Sequence, residues 1–197
     1  MTGHQRTNWL SVALSLTFVA TPVLAQAAGS DFRIHKAYDS FPEAPDYQFN
    51  KYPRLPARPS APTKWLRLEM DFDSEPAWAD HVEVRWYIQV EVERKPVVFT
   101  ASVLHSNVKR NPAGQRHITA VFMRPRTVDR YLRNERGIKK IAVQIFVNGK
   151  LEDTWPRDGK DRWWEATTPV NGFLVDVTQT PFYDAEGDRY EEVSNAK

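Results

Sequence analysis

The side chains that offer the clearest chemistry in this sequence are basic and lie close together in the chain. Between Lys109 and Lys140 there are ten Lys and Arg residues and only two acidic ones, a local excess of +8. Three arginines at positions i, i+4 and i+7 of a predicted helix share one face: Arg126, Arg130 and Arg133. Such a face would attract anionic lipid headgroups, an acidic polysaccharide or an acidic protein. The alternative is an ordinary solvated helix face, partly neutralised by the acidic C-terminal tail.

Two adjacent tryptophans are the next candidates for a binding site. Trp163 and Trp164 follow a polar stretch, Asp158–Arg162, and exposed indole rings beside Asp and Arg are suited to stacking against sugars. Adjacent residues of a strand point to opposite sides, so only one of the two rings could join such a platform. The alternative is that both rings are buried and close the end of a domain that has no disulfide.

No pattern of residues indicates catalysis or metal binding. His81, His105 and His117 fall on separate predicted strands, and no H-E-x-x-H motif or histidine pair at i, i+2 or i, i+4 occurs. Acidic residues are frequent, but no two are singled out as the facing pair that glycoside hydrolysis needs. No G-x-S-x-G motif is present. We therefore predict a protein that is not an enzyme and that uses no cofactor and no metal.

The first 25 residues indicate export. Arg6 precedes an apolar run from Trp9 to Ala20, Pro22 interrupts it, and small residues follow to Ala25, as in a cleaved signal peptide. This run is too short to span a bilayer and no later segment is longer, so we predict no membrane span. The mature chain is expected to be periplasmic, associated with the outer envelope, or secreted. Its balanced charge and its expected location argue against nucleic acid as a partner.

A proline-rich leader is predicted over residues 26–63. Pro53, Pro56, Pro59 and Pro62 recur at every third residue, the repeat of a polyproline II helix, so they align along one edge. The leader could pack across the domain through its aromatic residues, or present a recognition segment to the aromatic groove of a partner. A disordered linker is the third alternative.

From Trp65 onward the apolar residues recur with period two, which predicts half-buried strands. The clearest predicted strands are Trp65–Asp73 and His81–Glu93, and the others are Pro96–Leu104, Gln115–Met123, Ile138–Val147, Lys150–Trp155 and Gly172–Thr178. Asn148-Gly149 predicts a hairpin turn, and a helix of about ten residues is predicted from Thr127 to Gly137. Seven short strands with one helix favour a β-sandwich over residues 64–183, followed by an acidic tail, 184–197. There is no cysteine, so stability depends on the core.

Several stretches resemble a known group of proteins: Trp65–Phe72, Phe122–Val128, Asn171–Leu174, Gln179–Phe182 and Arg189–Glu191. They are similar to exported immunoglobulin-like proteins of verrucomicrobial bacteria, one of which is encoded beside type IV pilus assembly genes. The resemblance covers about residues 64–192. It implies an immunoglobulin-like β-sandwich like that of some pilins, and a structural or adhesive role near the cell envelope. No hydrophobic assembly helix follows the predicted processing site, so an accessory role is expected rather than that of a filament subunit.

The sequence therefore predicts an all-β, mainly antiparallel, immunoglobulin-like sandwich of about seven strands with one short helix and an extended leader. We expect a non-catalytic binding or structural accessory of the cell envelope, in the setting of type IV pilus-like machinery. Its expected partners are envelope or pilus proteins, or an acidic surface polymer. The alternative is a carbohydrate-binding module that uses exposed tryptophans.

Overall fold

Two β-sheets pack face to face in the computed structural model, which describes residues 30–45, 63–112, 114–132, 137–157 and 162–194. The predicted signal peptide lies outside these ranges. The first sheet has the strand order β1-β2-β5-β9, formed by β1 (Phe32–Ser40), β2 (Leu66–Ser74), β5 (His117–Met123) and β9 (Leu174–Asp176). The second has the order β7-β6-β3-β4-β8, formed by β7 (Lys150–Trp155), β6 (Ile138–Val147), β3 (Trp78–Val92), β4 (Lys95–Lys109) and β8 (Val170–Asn171). Only the β4–β8 pair is parallel within this part of the chain, and the predicted all-β sandwich is confirmed.

The core lies between the two sheets and is built by strict alternation along the longest strands. On β3, five inward-facing side chains are fully buried: Val82, Val84, Trp86, Ile88 and Val90. Each large apolar side chain moved from water into such a core contributes about 1.5–3 kcal/mol to folding. The residues between them point away from the core, so the outer face of the second sheet is polar and aromatic. That outer face carries one of the candidate sites below.

The first strand lies inside the segment that was predicted to be the leader. β1 pairs antiparallel with β2, and both Phe32 and Ile34 are buried in the core. A β-bulge between Ile34 and Lys36 shifts the register by one residue, so Ala37 rather than Lys36 is the next buried side chain. Because the bulge breaks the apolar–polar alternation, a search for period two misses this strand. The predicted start of the sandwich at residue 64 is therefore wrong, and residues 46–62, with the four regular prolines, lie outside the described ranges.

The C-terminal residues predicted as an acidic tail are also part of the fold, as far as the structure describes them. They cover the outer face of the first sheet, where Phe182 and Tyr190 pack with Phe122 of β5 in a second apolar cluster. The Phe122 and Phe182 rings are stacked with centroids 5.1 Å apart. This cluster explains why β5 is apolar on both faces, since one faces the core and the other faces the C-terminal segment.

Beyond Tyr190 the chain crosses from the first sheet to the second. The Glu191 N–H donates to the carbonyl of Ile118 in β5 at 3.0 Å, and the Ser194 N–H donates to the carbonyl of Leu104 in β4 at 2.7 Å. These four residues therefore make backbone hydrogen bonds to both sheets and join the two sheets along this edge of the sandwich.

The predicted helix and the predicted hairpin are both present. The helix α1 spans Pro125–Tyr131, so it begins before Thr127, which was predicted to cap it. A proline is well tolerated in the first helical turn because the N–H groups there have no partner within the helix. Between β6 and β7, Asn148 and Gly149 have φ angles of 52° and 79°, as a two-residue hairpin turn requires. A second short helix, α2, spans Tyr183–Glu186.

Candidate functional site

The helix α1 presents two of the three candidate arginines to solvent. Val128 anchors the helix on the core, and Arg126 and Arg130 are exposed away from it. The Arg130 guanidinium lies 5.0 Å from the centroid of the Tyr131 ring. Neither arginine forms an ion pair with another described residue. Arg133, the third member of the predicted stripe, lies outside the described ranges.

Further exposed basic residues lie at the same end of the sandwich as α1. The turn between β3 and β4 and the start of β6 meet there. The Tyr131 ring of α1 packs on Phe99 near the start of β4, with centroids 5.2 Å apart, and Val90 of β3 pairs with Ile138 of β6. We call this set the basic pole: Arg94, Lys95, Arg124, Arg126, Arg130 and Lys139. The i, i+4 spacing in the sequence indicated the part of the basic pole that lies on α1. The residues of the β3–β4 turn and of β6 lie beside that part only in the folded chain.

Charge compensation distinguishes the basic pole from most of the remaining surface. Carboxylate partners within 4.0 Å are found for arginines spread over both sheets: Arg67, Arg85, Arg110, Arg116, Arg157, Arg162 and Arg189. No such partner is found among the described residues for any member of the basic pole. Outside the pole, no such partner is found for Arg33, Lys36 or Lys109 among the described residues either. The nearby acidic residues Glu91, Glu93 and Asp129 form no ion pair with the pole.

Trp163 and Trp164 do not form an exposed platform. Both lie in a 3₁₀ turn over the outer face of the second sheet and are only 8% and 3% exposed. Trp164 stacks on Tyr87 with ring centroids 5.9 Å apart. Their role is therefore to cover the sheet, and the exposed indole faces that the carbohydrate hypothesis required are not present at these positions. The exposed tryptophan among the described residues is Trp78, at 63%, at the start of β3.

A groove of about 580 Å³ runs beside Trp164 on the outer face of the second sheet. Six of its lining residues matter below, and we call them the aromatic groove: Arg85, Tyr87, Gln144, Phe146, Leu151 and Trp164. The Arg85 guanidinium lies 4.1 Å from the centroid of the Phe146 ring and donates two hydrogen bonds, of 2.8 and 2.9 Å, to Glu83. No sequence pattern marks this groove, because its residues come from three strands and a 3₁₀ turn and have no common spacing.

One buried cluster has the residue types of a hydrolase triad. His117 Nδ1 lies 2.5 Å from the Glu191 carboxylate, and His117 Nε2 lies 3.0 Å from the Ser74 hydroxyl. The serine is buried, however, and its hydroxyl donates to the Lys109 carbonyl at 2.9 Å. A nucleophile needs a free, accessible hydroxyl. These hydrogen bonds instead tie β2 and β5 to the C-terminal segment.

His105 is also accounted for by local contacts. His105 Nε2 lies 2.7 Å from the Thr119 hydroxyl, and its Nδ1 lies 3.3 Å from the Glu192 carbonyl. Burial lowers the pKa of His105, so the neutral ring is favoured there. His81 is exposed on β3. Within the described ranges, no group of three or more His, Asp or Glu side chains is placed to hold a metal ion.

A cluster of charges holds the C-terminal segment against β2. Glu69 is only 2% exposed, and its carboxylate accepts a hydrogen bond from the Tyr190 hydroxyl at 2.9 Å. Arg189 Nη1 lies 3.2 Å from the same carboxylate, and Arg67 donates to Glu186 at 2.7 Å. Burial, followed by the charge of Glu69, raises the pKa of the Tyr190 hydroxyl. The buried carboxylate is thus compensated from two sides.

The two packed, mainly antiparallel sheets define the class of the protein as an all-β sandwich. One protein-family model matches residues 24–197, nearly the whole chain, and the chain therefore belongs to the family that this model describes. A search of curated proteins finds no match. Among solved structures, a crystal structure from Akkermansia muciniphila, a verrucomicrobial bacterium, superposes with a TM-score of 0.70 at 22% identity. The match covers 84% of this chain and 94% of that chain, so the two share a fold.

The structural match confirms in part the resemblance drawn from the sequence, since it is to a protein of a verrucomicrobial bacterium. At this level of identity the likeness concerns the fold alone. Among the described residues, no helix has the length and apolar character needed to cross a membrane.

Proposed function

We propose that the protein is a non-catalytic, exported accessory of the bacterial cell envelope whose basic pole docks onto an acidic protein partner. The observation that carries this proposal is the grouping of exposed, unpaired cations at one end of a sandwich whose other arginines mostly have carboxylate partners. Like charges held together repel one another, and a partner that supplies carboxylates would relieve this repulsion. Four of the six members are arginines, whose planar guanidinium groups suit bidentate contacts with carboxylates.

Two observations support the proposed setting outside the cytoplasm and near pilus-like machinery. The family match begins at residue 24, beside the predicted processing site after Ala25. The strand order also agrees with an immunoglobulin-like sandwich: β1-β2-β5 corresponds to strands A-B-E, and β7-β6-β3-β4 corresponds to strands G-F-C-C′. An immunoglobulin-like fold is what the sequence resemblance implied, together with a structural or adhesive role.

A non-catalytic role is supported by the state of the most enzyme-like cluster. The Ser74 hydroxyl is buried and engaged with a backbone carbonyl, and the His117 ring is engaged on both nitrogens. The Ser74 hydroxyl and the His117 ring are therefore both engaged in contacts that stabilise the fold.

The proposal is tested by affinity capture from an envelope extract with the mature chain as bait. The pole variant carries Arg124→Glu, Arg126→Glu and Arg130→Glu. The control variant carries Arg33→Glu, Lys36→Glu and Lys109→Glu, which changes the net charge equally on exposed cations outside the pole.

We expect the natural chain and the control variant to capture the same acidic protein, and the pole variant to lose it by tenfold or more at about 150 mM salt. Equal loss of capture by both variants would show that capture depends only on the net charge of the chain. Unchanged capture by the pole variant would show that the basic pole is ordinary solvated surface. Capture of a polysaccharide in place of a protein would contradict the proposed partner class.

A further inference from the structure

We infer that the aromatic groove is a self-association site that binds the proline-rich segment Pro53–Pro62 of a second copy of this chain. This inference goes beyond the basic pole and does not depend on it. The groove lies on the outer face of the second sheet, and the basic pole lies at one end of the sandwich.

The half-buried rings of Tyr87 and Phe146 give the walls of the groove the aromatic character that binds polyproline II helices, and the buried Trp164 ring supports Tyr87 from behind. Tyr87 and Trp164 stack at one side, Phe146 lies under the Arg85 guanidinium, and Leu151 is exposed at the rim. Proline-rich segments bind to aromatic-lined grooves of this kind because their prolines pack between the rings without losing much conformational freedom. The volume of about 580 Å³ is within the ordinary range of ligand sites, about 300–1,000 Å³.

Two polar side chains of the groove have no hydrogen-bond partner among the described residues. The indole N–H of Trp164 is buried without a partner among the described residues. Gln144 is 7% exposed, and none of the side-chain hydrogen bonds found in this part of the chain involves its amide. Buried polar groups are nearly always hydrogen-bonded in native proteins, so the indole N–H of Trp164 is a donor that lacks its usual acceptor. The Arg162 guanidinium also lies at the rim, where it donates to the Glu165 carboxylate at 3.2 Å.

A polyproline II segment is the complementary ligand. It has no internal hydrogen bonds, so its carbonyl groups are free to accept, and its prolines have no N–H to leave unsatisfied. Pro53, Pro56, Pro59 and Pro62 would align along one edge of such a helix. Its ten residues span roughly 30 Å, and the five strands of the second sheet span roughly 20–25 Å. The segment is therefore long enough to lie across the groove.

The position of this segment favours a second copy as its source. Glu43 pairs with Lys64, and the Trp65 N–H donates to the Pro42 carbonyl at 2.9 Å, so both ends of the segment start from one place beside the first sheet. The groove faces outward from the opposite sheet. The segment of the same molecule would have to pass around the edge of the sandwich, and the segment of a neighbour would not. Such a contact joins two different surfaces, so it can extend head to tail.

A complementation experiment with the mature chain tests this inference. One variant, Tyr87→Ala with Phe146→Ala, damages the groove and keeps the segment. The other, Pro53→Ala with Pro56→Ala and Pro59→Ala, damages the segment and keeps the groove. Sedimentation velocity is measured for each variant, for their equimolar mixture and for the natural chain, up to about 500 µM.

We expect the natural chain to associate as its concentration rises and each variant alone to stay monomeric. The mixture should form dimers and stop there, because each variant supplies one half of the contact. Gln89→Ala, a change on the outward face of β3 outside the groove, is the matched control and should associate like the natural chain. A monomeric natural chain, or a mixture without dimers, would overturn the inference.

A peptide of residues 51–63 provides a second measurement that does not depend on large groove variants. Titrated into the natural chain, it should change tryptophan fluorescence through Trp164, and the same peptide with its prolines changed to Ala should not. Leu151→Asp, at the exposed rim, should weaken peptide binding by tenfold or more while leaving the circular dichroism spectrum unchanged. Peptide binding without any association between chains would overturn the second copy as the occupant, and no binding up to about 1 mM would overturn the groove.

Discussion

Changing Tyr190 to Phe removes one hydroxyl group from the buried contact between the C-terminal segment and β2. The hydroxyl donates to Glu69 at 2.9 Å, while the ring packs against Phe122 and would stay in place. A hydrogen bond to a charged acceptor contributes about 1.5–3 kcal/mol, and the Glu69 carboxylate cannot replace it with water because it is buried. Arg189 remains 3.2 Å from the carboxylate, which keeps the cost below that of an isolated buried charge. We therefore expect the free energy of unfolding to fall by about 1.5–3 kcal/mol.

Urea unfolding of the chain from Gln26 onward, followed by tryptophan fluorescence, measures this change. The midpoint should fall with the slope unchanged, and the melting temperature should fall by roughly 3–12 °C for a domain of this size. Tyr183→Phe is the matched control, because Tyr183 is exposed and its hydroxyl makes no hydrogen bond among the described residues, so its change should stay within about 0.5 kcal/mol. Equal stability of Tyr190→Phe and the natural chain would refute the assigned role of the Glu69 contact.

The Tyr190 hydroxyl should also make the free energy of unfolding depend on pH, and its raised pKa gives the direction of this dependence. Burial and the charge of Glu69 raise the pKa of Tyr190 in the folded chain, so this tyrosine contributes stability that is fully present below its unfolded pKa of about 10. That contribution is lost as the pH rises further. Between about pH 9.5 and 11.5, the natural chain should therefore lose more stability than Tyr190→Phe. Parallel pH profiles for the two proteins would contradict this argument.

Three further predictions test other parts of the fold. Ile34→Ala should cost about 2–5 kcal/mol in urea unfolding because β1 belongs to the core, and Arg33→Ala, its exposed neighbour, should change stability by less than about 0.5 kcal/mol. His105 is buried with a lowered pKa, so the natural chain should lose stability as the pH falls below about 6.5. The free energies of unfolding of the natural chain and of His105→Gln, measured at pH 7.5 and 5.0, isolate this loss. Equal losses in the two proteins would contradict the prediction. Gly149→Ala should cost about 1 kcal/mol through its positive φ alone, since nothing lies within 4 Å of an added Cβ; an unchanged melting temperature would contradict this.

Period-two alternation predicted the central strands well because each has one face in the core and one face in water. The predicted strands Trp65–Asp73 and His81–Glu93 correspond closely to β2 and β3. Within the predicted strand Gln115–Met123, Ile118, Ala120 and Phe122 lie on one face, as period two requires. What the pattern did not specify is that this face packs against the C-terminal segment rather than the sandwich core, because apolar character alone does not identify the covering element.

The missed and shortened elements depend on interactions that a periodic pattern does not contain. A β-bulge after Ile34 hides β1 from a search for alternation. The predicted strand Gly172–Thr178 is reduced to Leu174–Asp176 because the Asp176 side chain accepts a hydrogen bond from the Thr178 N–H at 2.8 Å and begins a 3₁₀ turn. In both cases a local change in hydrogen bonding interrupts the strand, although the apolar pattern on either side would allow it to continue.

The basic pole likewise depends partly on spacing along the chain and partly on contacts between residues that are distant in the sequence. The arginine stripe on α1 follows from spacing along one helix, but ion pairing depends on strand register. Arg116 lies 3.7 Å from Asp71 because β5 pairs with β2, and Arg110 reaches Glu75 because the ends of β2 and β4 lie side by side. The +8 excess between Lys109 and Lys140 is therefore divided by the fold into a part compensated by acidic neighbours and a part, around α1, that is not. Only the second part is available to a partner, and this is why the proposed docking surface is the basic pole rather than the whole basic stretch of sequence.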